Sequence, residues 1–286
     1  MSLVGKFGNF EVKQTDRISQ EDKVHLERWK EKYERALCIH KAVYDVFRKE
    51  WENYTEEDLE DFQYSGVLLD DYGTIKKIDS LQDEFVEHIF SYFSRKYNVS
   101  LNNDFPKSNL SNSYYRYSRK TQPKELVFDF IDYRTVVDKI IDQLGGMSFQ
   151  DKAIKEIKDA LKKKCYNSYR DEWEIQIKGN KLIYKGGYCS PSWSSYHFSS
   201  TEFMTALLHA LSFNTYGEKV HLYELNRLYD SYYIDLQEDD FTTGFSCKRV
   251  GVEHIKFFKN GRVDITFKDA EFARNFAREW CGYTLI

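Results

Sequence analysis

The sequence has little proline and glycine and no long apolar run. Its 286 residues include 3 prolines and 14 glycines, too few for long flexible linkers, so any domains are closely joined. No stretch approaches the roughly 20 apolar residues that span a bilayer, and no charged and then apolar leader opens the chain. We therefore expect neither membrane insertion nor Sec-type export, and we expect a cytoplasmic protein.

The 5 cysteines are widely spaced, and no two of them form a Cys-x-x-Cys pair, which excludes a zinc knuckle and a thioredoxin-like motif. We expect reduced thiols, mostly buried as small hydrophobic side chains. No sequence motif supports a hydrolase, NTPase or zincin activity, because Gly-x-Ser-x-Gly, Walker and His-Glu-x-x-His motifs are absent. The sequence predicts no catalytic residue, no metal site and no cofactor.

Neither sign of charge dominates, since 42 Lys+Arg against 46 Asp+Glu give a net charge of −4. The charges are nevertheless distributed unevenly: residues 101–200 contain 17 basic and 12 acidic side chains, and residues 51–100 contain 4 and 12. With such an uneven charge distribution, a basic surface can contact phosphates while the acidic surface faces away from them. We interpret the acidic segment 50–71 as a solvated face rather than a Mg²⁺ or Ca²⁺ site, because calcium-loop spacing is absent.

Aromatic residues are abundant, with 22 Tyr, 21 Phe and 5 Trp. The clearest helix covers residues 17–51, where Leu26, Tyr33, His40 and Phe47 recur every seven residues. We predict that this helix is either a spine for the molecule or half of a coiled-coil contact. We interpret His40 as a satisfied histidine of that stripe rather than as a ligand or base. Further helices are predicted from Ser80, over 131–144, from Ser148, from Ser199 with Glu202 as a capping box, and over 219–233.

A first β-hairpin is predicted where apolar and polar residues alternate on both sides of Gly179-Asn180. A two-residue turn there pairs Ile177 with Leu182 and Ile175 with Tyr184, and it places all four side chains on one face.

A second hairpin is predicted near the C-terminus, and its turn follows from the pairing. A two-residue Asn260-Gly261 turn would mix apolar and polar residues on both faces. A three-residue turn with Gly261 as a left-handed bulge instead sets Lys256 opposite Asp264. It also gathers five apolar residues on the other face, namely Ile255, Phe257, Val263, Ile265 and Phe267.

These elements predict an α+β protein, because both hairpins are antiparallel and strands do not alternate regularly with helices. We expect a mostly helical region over residues 1–125. We expect residues 126–286 to form an α+β domain in which helices pack on a small antiparallel sheet built from hairpins.

The segment around the second turn resembles the end of a bacterial and phage family of unknown function. Members are often found C-terminal to N6-adenine DNA methyltransferases in mobile elements. The resemblance covers about residues 130–286 and is strongest over 255–269, where a Lys-Asn-Gly turn leads into a strand ending in Phe-Lys. It implies an association with DNA-modifying mobile elements. The sequence departs from the family at Asp264, where a His is common, and its isolated prolines exclude the methyltransferase's own Pro-Pro motif.

Two clusters are candidates for nucleic-acid binding: the first combines cations with aromatic side chains, and the second is an aromatic loop. Residues 107–124 contain five cations and no acids, and their arginines alternate with tyrosines, which suits phosphates and bases. A basic surface loop is the simpler interpretation. Over both clusters and the lysine triplet between them, the candidates are Tyr114, Tyr115, Arg116, Tyr117, Arg119, Lys120, Lys162, Lys163, Lys164, Tyr188, Trp193, Tyr196 and His197.

The second cluster lies in residues 186–198, which lack periodicity and are predicted to form an irregular loop. If both loops converge, arginines hold phosphate oxygens while the rings stack on bases. The competing interpretation is that these rings complete the core, and for Trp193 we favour that inward position. A Cys189–His197 nucleophile is conceivable here, but the spacing does not show that the two side chains meet.

We therefore expect a non-enzymatic, nucleic-acid-associated module of a phage or mobile element, with DNA or RNA as its partner. The alternative is a protein–protein adaptor for a separate DNA methyltransferase or defence protein. The long helix over 17–51, the acidic segment 50–71 and the many aromatic residues would suit such an interface.

Overall fold

The computed structural model describes residues 17–51, 53, 55, 71–108, 110, 126–229 and 232–284. The chain divides into two compact units, Met1–Gly146 and Met147–Ile286. The first unit is helical and the second combines helices with antiparallel sheets, so the α+β class is confirmed. The sequence-based boundary at 125/126 stays a prediction, since it adjoins residues outside the described ones. Most of the acidic segment 50–71 also lies outside them.

The first unit is built on two long helices, α1 (Gln20–Trp51) and α2 (Asp71–Tyr97). Helix α1 confirms the helix predicted over 17–51, and its apolar stripe packs against α2. The predicted start of the second helix at Ser80 is wrong. Buried Ile78 and Ile75 extend the apolar spacing back toward Asp71, and the Ser80 hydroxyl donates to Glu84 at 2.7 Å from inside the helix.

A ladder of stacked rings joins α1 to α2. Its three ring pairs, with centroid distances of 3.8–4.1 Å, are Tyr33 on Phe85, Trp29 on His88, and His25 on Tyr92. Each step moves toward the N-terminus of α1 and toward the C-terminus of α2, so the two helices run antiparallel. The four-residue spacing on α1 is the helical repeat that keeps these rings on one face. No described helix is both long and apolar enough to cross a membrane.

The remaining α-helices of the described chain are shorter. They are α3 (Tyr133–Gln143) in the first unit and, in the second, α4 (Phe149–Cys165), α5 (Thr201–Tyr216), α6 (Asp240–Thr243) and α7 (Ala270–Trp280). Helices α3 and α4 confirm the helices predicted over 131–144 and from Ser148. The Ser148 hydroxyl caps α4 by accepting a hydrogen bond from the Asp151 amide at 3.0 Å.

Two predictions about helices of the second unit are wrong. The capping box of Ser199 with Glu202 does not form, because Ser199 donates instead to the Tyr188 carbonyl at 3.2 Å and the cap residue of α5 is Ser200. The helix predicted over 219–233 is only a 3-10 segment, Tyr223–Leu228. Buried leucines at 222, 225 and 228 recur every three residues, which is the repeat of a 3-10 helix.

The second unit contains three antiparallel sheets. The strands are β1 (Tyr166–Asn167), β2 (Glu172–Trp173), β3 (Ile175–Lys178), β4 (Lys181–Tyr184), β5 (Cys189–Pro191), β6 (Tyr196–Phe198), β7 (Ile234–Leu236), β8 (Phe245–Cys247), β9 (Val252–Phe257) and β10 (Val263–Phe267). The largest sheet has the order β3-β4-β10-β9-β8, a second has the order β5-β6-β7, and β1 pairs with β2.

Both predicted hairpin registers are confirmed. Across β3 and β4, Ile177 faces Leu182 and Ile175 faces Tyr184. Across β9 and β10, the pairs are Phe257 with Val263, Ile255 with Ile265, and Lys256 with Asp264.

One face of the five-stranded sheet is covered by helices and forms the core of the second unit. Phe203 of α5 stacks on Tyr184 at 3.7 Å, and Phe276 of α7 lies 5.4 Å from Phe267. Because side chains of a strand alternate between faces, the polar positions of the same strands form the opposite, outer face.

The Lys-Asn-Gly turn between β9 and β10 lies against the connection that leads from β4 to β5. Gly261 has a φ of +85°, and a Cβ there would lie 2.1 Å from the Gly187 carbonyl oxygen. Lys259 of the same turn pairs with Glu238 at 2.6 Å and lies 4.6 Å from the centre of the Tyr196 ring. This hydrogen bond to Glu238 raises the pKa of Lys259. The turn that carries the family resemblance therefore has a structural role, joining the two larger sheets.

Candidate nucleic-acid interface

The outer face of the five-stranded sheet carries a cluster of lysines, which we call the lysine face. Its four members are Lys178, Lys181, Lys185 and Lys256. Lys185 directly follows β4, and its amide continues the pairing by donating to the Glu174 carbonyl at 2.7 Å. The first three are exposed and Lys256 is half-buried. None of the four forms an ion pair with a carboxylate of the described chain, unlike many other lysines of this unit.

Two lysines of this face lie directly opposite each other. Lys178 ends β3 and Lys181 begins β4, and the two are Cα partners across the Gly179-Asn180 turn. Gly179 has a φ of +61°, which a tight hairpin turn of this kind requires. Like charges directly opposite each other on a sheet repel and therefore destabilise it. An anion between them would remove that repulsion.

The other end of the lysine face combines cations with an aromatic ring. The guanidinium of Arg262 lies 4.3 Å from the Phe258 ring centre, and the Lys256 ammonium lies 5.6 Å from it. The Arg262 guanidinium is engaged within the protein, because it donates two hydrogen bonds of 2.7 and 2.8 Å to the buried carboxylate of Asp264. The Phe258 ring is half-buried, so part of it remains open to a stacking partner.

The spacing of the lysine face suits a phosphate backbone. Lys181 and Lys185 lie four positions apart along one direction, roughly 13 Å at 3.3 Å per residue. That distance corresponds to about four nucleotides at 3.4 Å each. Ammonium groups bind phosphate as point charges, so lysines that share a face can contact a backbone without reading its bases.

The predicted residues Tyr114, Tyr115, Arg116, Tyr117, Arg119 and Lys120 lie outside the described residues, so their prediction stays a prediction. The predicted lysine triplet ends α4 in the helical layer, and the structure does not place it on the lysine face. Lys162 and Lys163 are exposed, whereas Lys164 is paired with Glu202 and lowers the pKa of that carboxyl.

The predicted irregular loop over 186–198 is instead the β5–β6 hairpin, extended by β7. Trp193 lies at its tip and is fully exposed, so the inward position favoured from the sequence is wrong. Tyr188 is also exposed. Tyr196 packs edge-on against Phe241, with ring centres 5.0 Å apart, and His197 stacks on Tyr233 at 3.9 Å. The structure therefore leaves two of these four rings free for a ligand.

The conceivable Cys189–His197 nucleophile does not assemble. Cys189 pairs with Phe198 while His197 pairs with Ser190, so Cys189 and His197 point to opposite faces of the small sheet. Burial also raises the pKa of the Cys189 thiol, which disfavours the thiolate.

The same small sheet aligns a serine, a histidine and an aspartate, one from each of its three strands. Ser190, His197 and Asp235 are cross-strand neighbours on one face. No hydrogen bond joins any two of these side chains in the described structure. The row therefore lacks the contacts of a nucleophile–base pair.

A cleft of about 510 Å³ in the first unit lies beside Trp29, His88 and Phe105. Two of the carboxylates that line it already accept hydrogen bonds from the protein. Asp83 accepts one from the Ser108 amide at 3.0 Å, and Glu87 accepts one from Asn103 Nδ2 at 2.9 Å. These bonds hold the segment after α2 against that helix. Within the described residues, no three His, Cys, Asp or Glu side chains form a group that could hold a metal ion.

The lysine face was not predicted, although the sequence contains a signal for it. The predicted pairing of Ile177 with Leu182 on one face implies that Lys178 and Lys181 share the other. The predicted Lys256–Asp264 pair lies on that same face. What the sequence could not show is that the two hairpins lie side by side, with β10 next to β4, and so merge their polar faces.

No family model, no curated protein and no solved structure matches this chain. The resemblance to the methyltransferase-associated family therefore stays a prediction carried by residues 130–286, and most strongly by 255–269.

Proposed function

We propose that this protein binds the phosphate backbone of nucleic acid on its lysine face, as a non-enzymatic module. The observation that carries the proposal is the cross-strand pair Lys178 and Lys181, exposed and without a carboxylate partner in the described chain. A protein gains no stability from such a pair, whereas a polyanion gains two contacts from it.

Three further features support this function. Lys185 and Lys256 extend the positive charge along the same face, and the Phe258 ring beside Lys256 offers a surface for a base. The cation–aromatic segment Tyr114–Lys120 has the same chemistry. The resemblance over 130–286 favours DNA of a mobile element or phage as the partner and the cytoplasm as the location.

Fluorescence anisotropy with labelled 30-nucleotide single-stranded DNA, single-stranded RNA and duplex DNA tests the proposal. Four phosphate contacts predict a slope of log affinity against log salt of about −3.6 for duplex and −2.8 for single strands. Affinity should then fall roughly 50- to 150-fold between 50 and 200 mM salt.

The decisive variant is Lys178→Glu with Lys181→Glu. Its matched control is Lys155→Glu with Arg274→Glu, which changes the net charge equally but alters exposed cations on α4 and α7. We expect the first variant to lose binding and the control to retain most of it. Equal loss in both variants, or no binding by the unaltered protein, would refute the lysine face as the site.

A second candidate function, an adaptor for a DNA methyltransferase, is favoured by one observation. The β5–β6 hairpin presents Trp193 fully exposed at its tip, and exposed aromatic side chains are frequent anchors of protein interfaces. Where an N6-adenine methyltransferase gene adjoins this one, co-expression should give a stable complex that Trp193→Ala disrupts. The Lys178→Glu/Lys181→Glu variant should leave that complex intact, which separates the two functions.

A further inference from the structure

Helix α1 has two apolar faces, of which α2 covers only one. The covered face contains Leu26, Tyr33, Leu37 and Tyr44, all of them buried. On the opposite side, Ile39, Val43 and Val46 are 58%, 44% and 58% exposed, and Ala42 between them is also exposed. We call these last four residues the outer stripe.

The outer stripe is a continuous seam rather than scattered exposure. At about 100° per residue, its four side chains lie within an arc of about 100°, centred roughly opposite the buried face. Three of the four are β-branched apolar residues that a solvent-exposed helix does not need. A contiguous apolar patch of this kind on the surface of a folded unit is typical of an interaction surface.

The stripe is complementary to itself when two copies run antiparallel. A two-fold axis between Ala42 and Val43 sets Ile39 opposite Val46 of the second copy. The same axis sets Ala42 opposite Val43 of the second copy, so a small side chain meets a larger one. Each apolar position of the stripe thus meets another apolar position, which is the requirement for an isologous contact.

The charged residues at the two ends of the stripe are also complementary across the same two-fold axis. Arg35 precedes the stripe and Glu50 follows it, and the two-fold axis sets Arg35 opposite Glu50 of the second copy. Both side chains are exposed, and neither forms an ion pair within the described chain. Lys49 lies about 70° around the helix from the centre of the stripe, whereas Glu50 lies about 30° from it, so the acid is the nearer partner.

We infer that α1 pairs antiparallel with α1 of a second copy of this chain through the outer stripe. Self-complementary shape and the Arg35–Glu50 charge match select a second copy over an unrelated helix. The contact is short, so the dimer is weak and concentration-dependent.

Sedimentation velocity over about 5 to 500 μM tests this inference. The unaltered protein should shift from monomer toward dimer across that range, and Val43→Glu should stay monomeric throughout. Val24→Glu is the matched control, because Val24 is 60% exposed on the same side of α1 but lies outside the paired segment. Circular dichroism spectra of both variants should match the unaltered protein.

A charge-reversal pair tests the antiparallel axis itself. Arg35→Glu and Glu50→Arg should each weaken the dimer, and the double variant should restore it. In a Cys38→Ser background, Ala42→Cys should form an intermolecular disulfide on oxidation with copper phenanthroline, because Ala42 lies beside the axis. A monomer at every concentration would overturn the inference, and a dimer that Val43→Glu leaves intact would show that another surface forms it.

Discussion

Asp22 accepts a hydrogen bond from the Lys96 ammonium at 2.7 Å, and its own side chain is completely buried. Tyr97 and Tyr92 donate to the same carboxylate at 2.6 and 2.8 Å, and Ser19 also donates to it. Burial alone would raise the pKa of Asp22, but these hydrogen bonds outweigh it and lower the pKa to about 2. One carboxylate therefore ties the start of α1 to the end of α2.

Asp22→Ala should destabilise the first unit strongly, because it removes the buried carboxylate that Lys96, Tyr92 and Tyr97 share as an acceptor. We expect a loss of about 3 kcal/mol, the lower end of the range for a broken buried ion pair, since Lys96 is partly solvated. Hydrogen–deuterium exchange in peptides from α1 and α2 measures this loss. Glu21→Gln is the control: Glu21 also pairs with Lys96, but it is 82% exposed and should contribute less than about 1 kcal/mol.

The stability of the α1–α2 pair should fall as the pH drops below about 6.5. His25 and His88 lie with their Nε2 atoms 3.2 Å apart, and burial lowers the pKa of both rings below the ordinary value of 6.5. The unfolded chain therefore binds more protons than the folded one just below pH 6.5, so stability increases with pH there. Asp22 does not contribute to this change, because its stabilisation is lost only as the pH falls from 3.8 toward about 2.

Urea unfolding at pH 7.5 and 5.5 measures this dependence. His25→Phe with His88→Phe should reduce the pH dependence of the first unit while keeping aromatic rings in the ladder. His40→Phe, which changes a histidine outside the pair, serves as the control. An unchanged pH dependence in the double variant would contradict the assignment to these two rings.

Gly261→Ala should destabilise the second unit more than the same change at another turn glycine. Gly261 combines a φ of +85° with a backbone oxygen 2.1 Å from the position that a Cβ would occupy, whereas Gly179 has a φ of +61° and open space around it. We expect a loss of about 1 kcal/mol for Gly179→Ala and about 3 kcal/mol or more for Gly261→Ala. Thermal unfolding should show Gly261→Ala lowering Tm by about 6–12 °C. Equal effects at both positions would show that the close approach to Gly187 contributes nothing.

Strong periodicity explains which parts of the fold could be predicted. The registers of both hairpins follow from alternation of period two on each side of a glycine turn, because a one-residue slip would expose Ile177 or Ile265. The three-residue strands β5, β6 and β7 were missed for the opposite reason. Cys189–Pro191 contains a serine and a proline, and three residues are too short to show a period.

Tertiary contacts determine the position of Trp193 and the formation of the lysine face, and local sequence patterns do not predict such contacts. Trp193 is apolar enough for a core, yet the hairpin turn closed by the Ser192 amide and the Ser195 carbonyl places it at an exposed tip. The lysine face depends on β4 pairing with β10, which are separated by about eighty residues of chain, and no local pattern encodes that pairing.

Asp264→Asn should strengthen nucleic-acid binding while it weakens the fold. Asp264 is the buried carboxylate on the outer face of the sheet, and it neutralises Arg262 through two hydrogen bonds. Removing its charge frees the guanidinium beside Phe258, so the slope of log affinity against log salt should steepen by about one. Loss of the charged pair should cost about 1–2 kcal/mol of stability.

Anisotropy titrations over several salt concentrations, together with urea unfolding, measure both effects in the same preparation. Asp159→Asn is the control, because it makes the same change of charge at an exposed position of α4 and should alter neither quantity much. Since repulsion of phosphate by Asp264 is local, a gain in affinity confined to Asp264→Asn places the bound strand on this face. A fall in affinity with the fold intact would mean that the Arg262–Asp264 pair, rather than the free cation, orients the site.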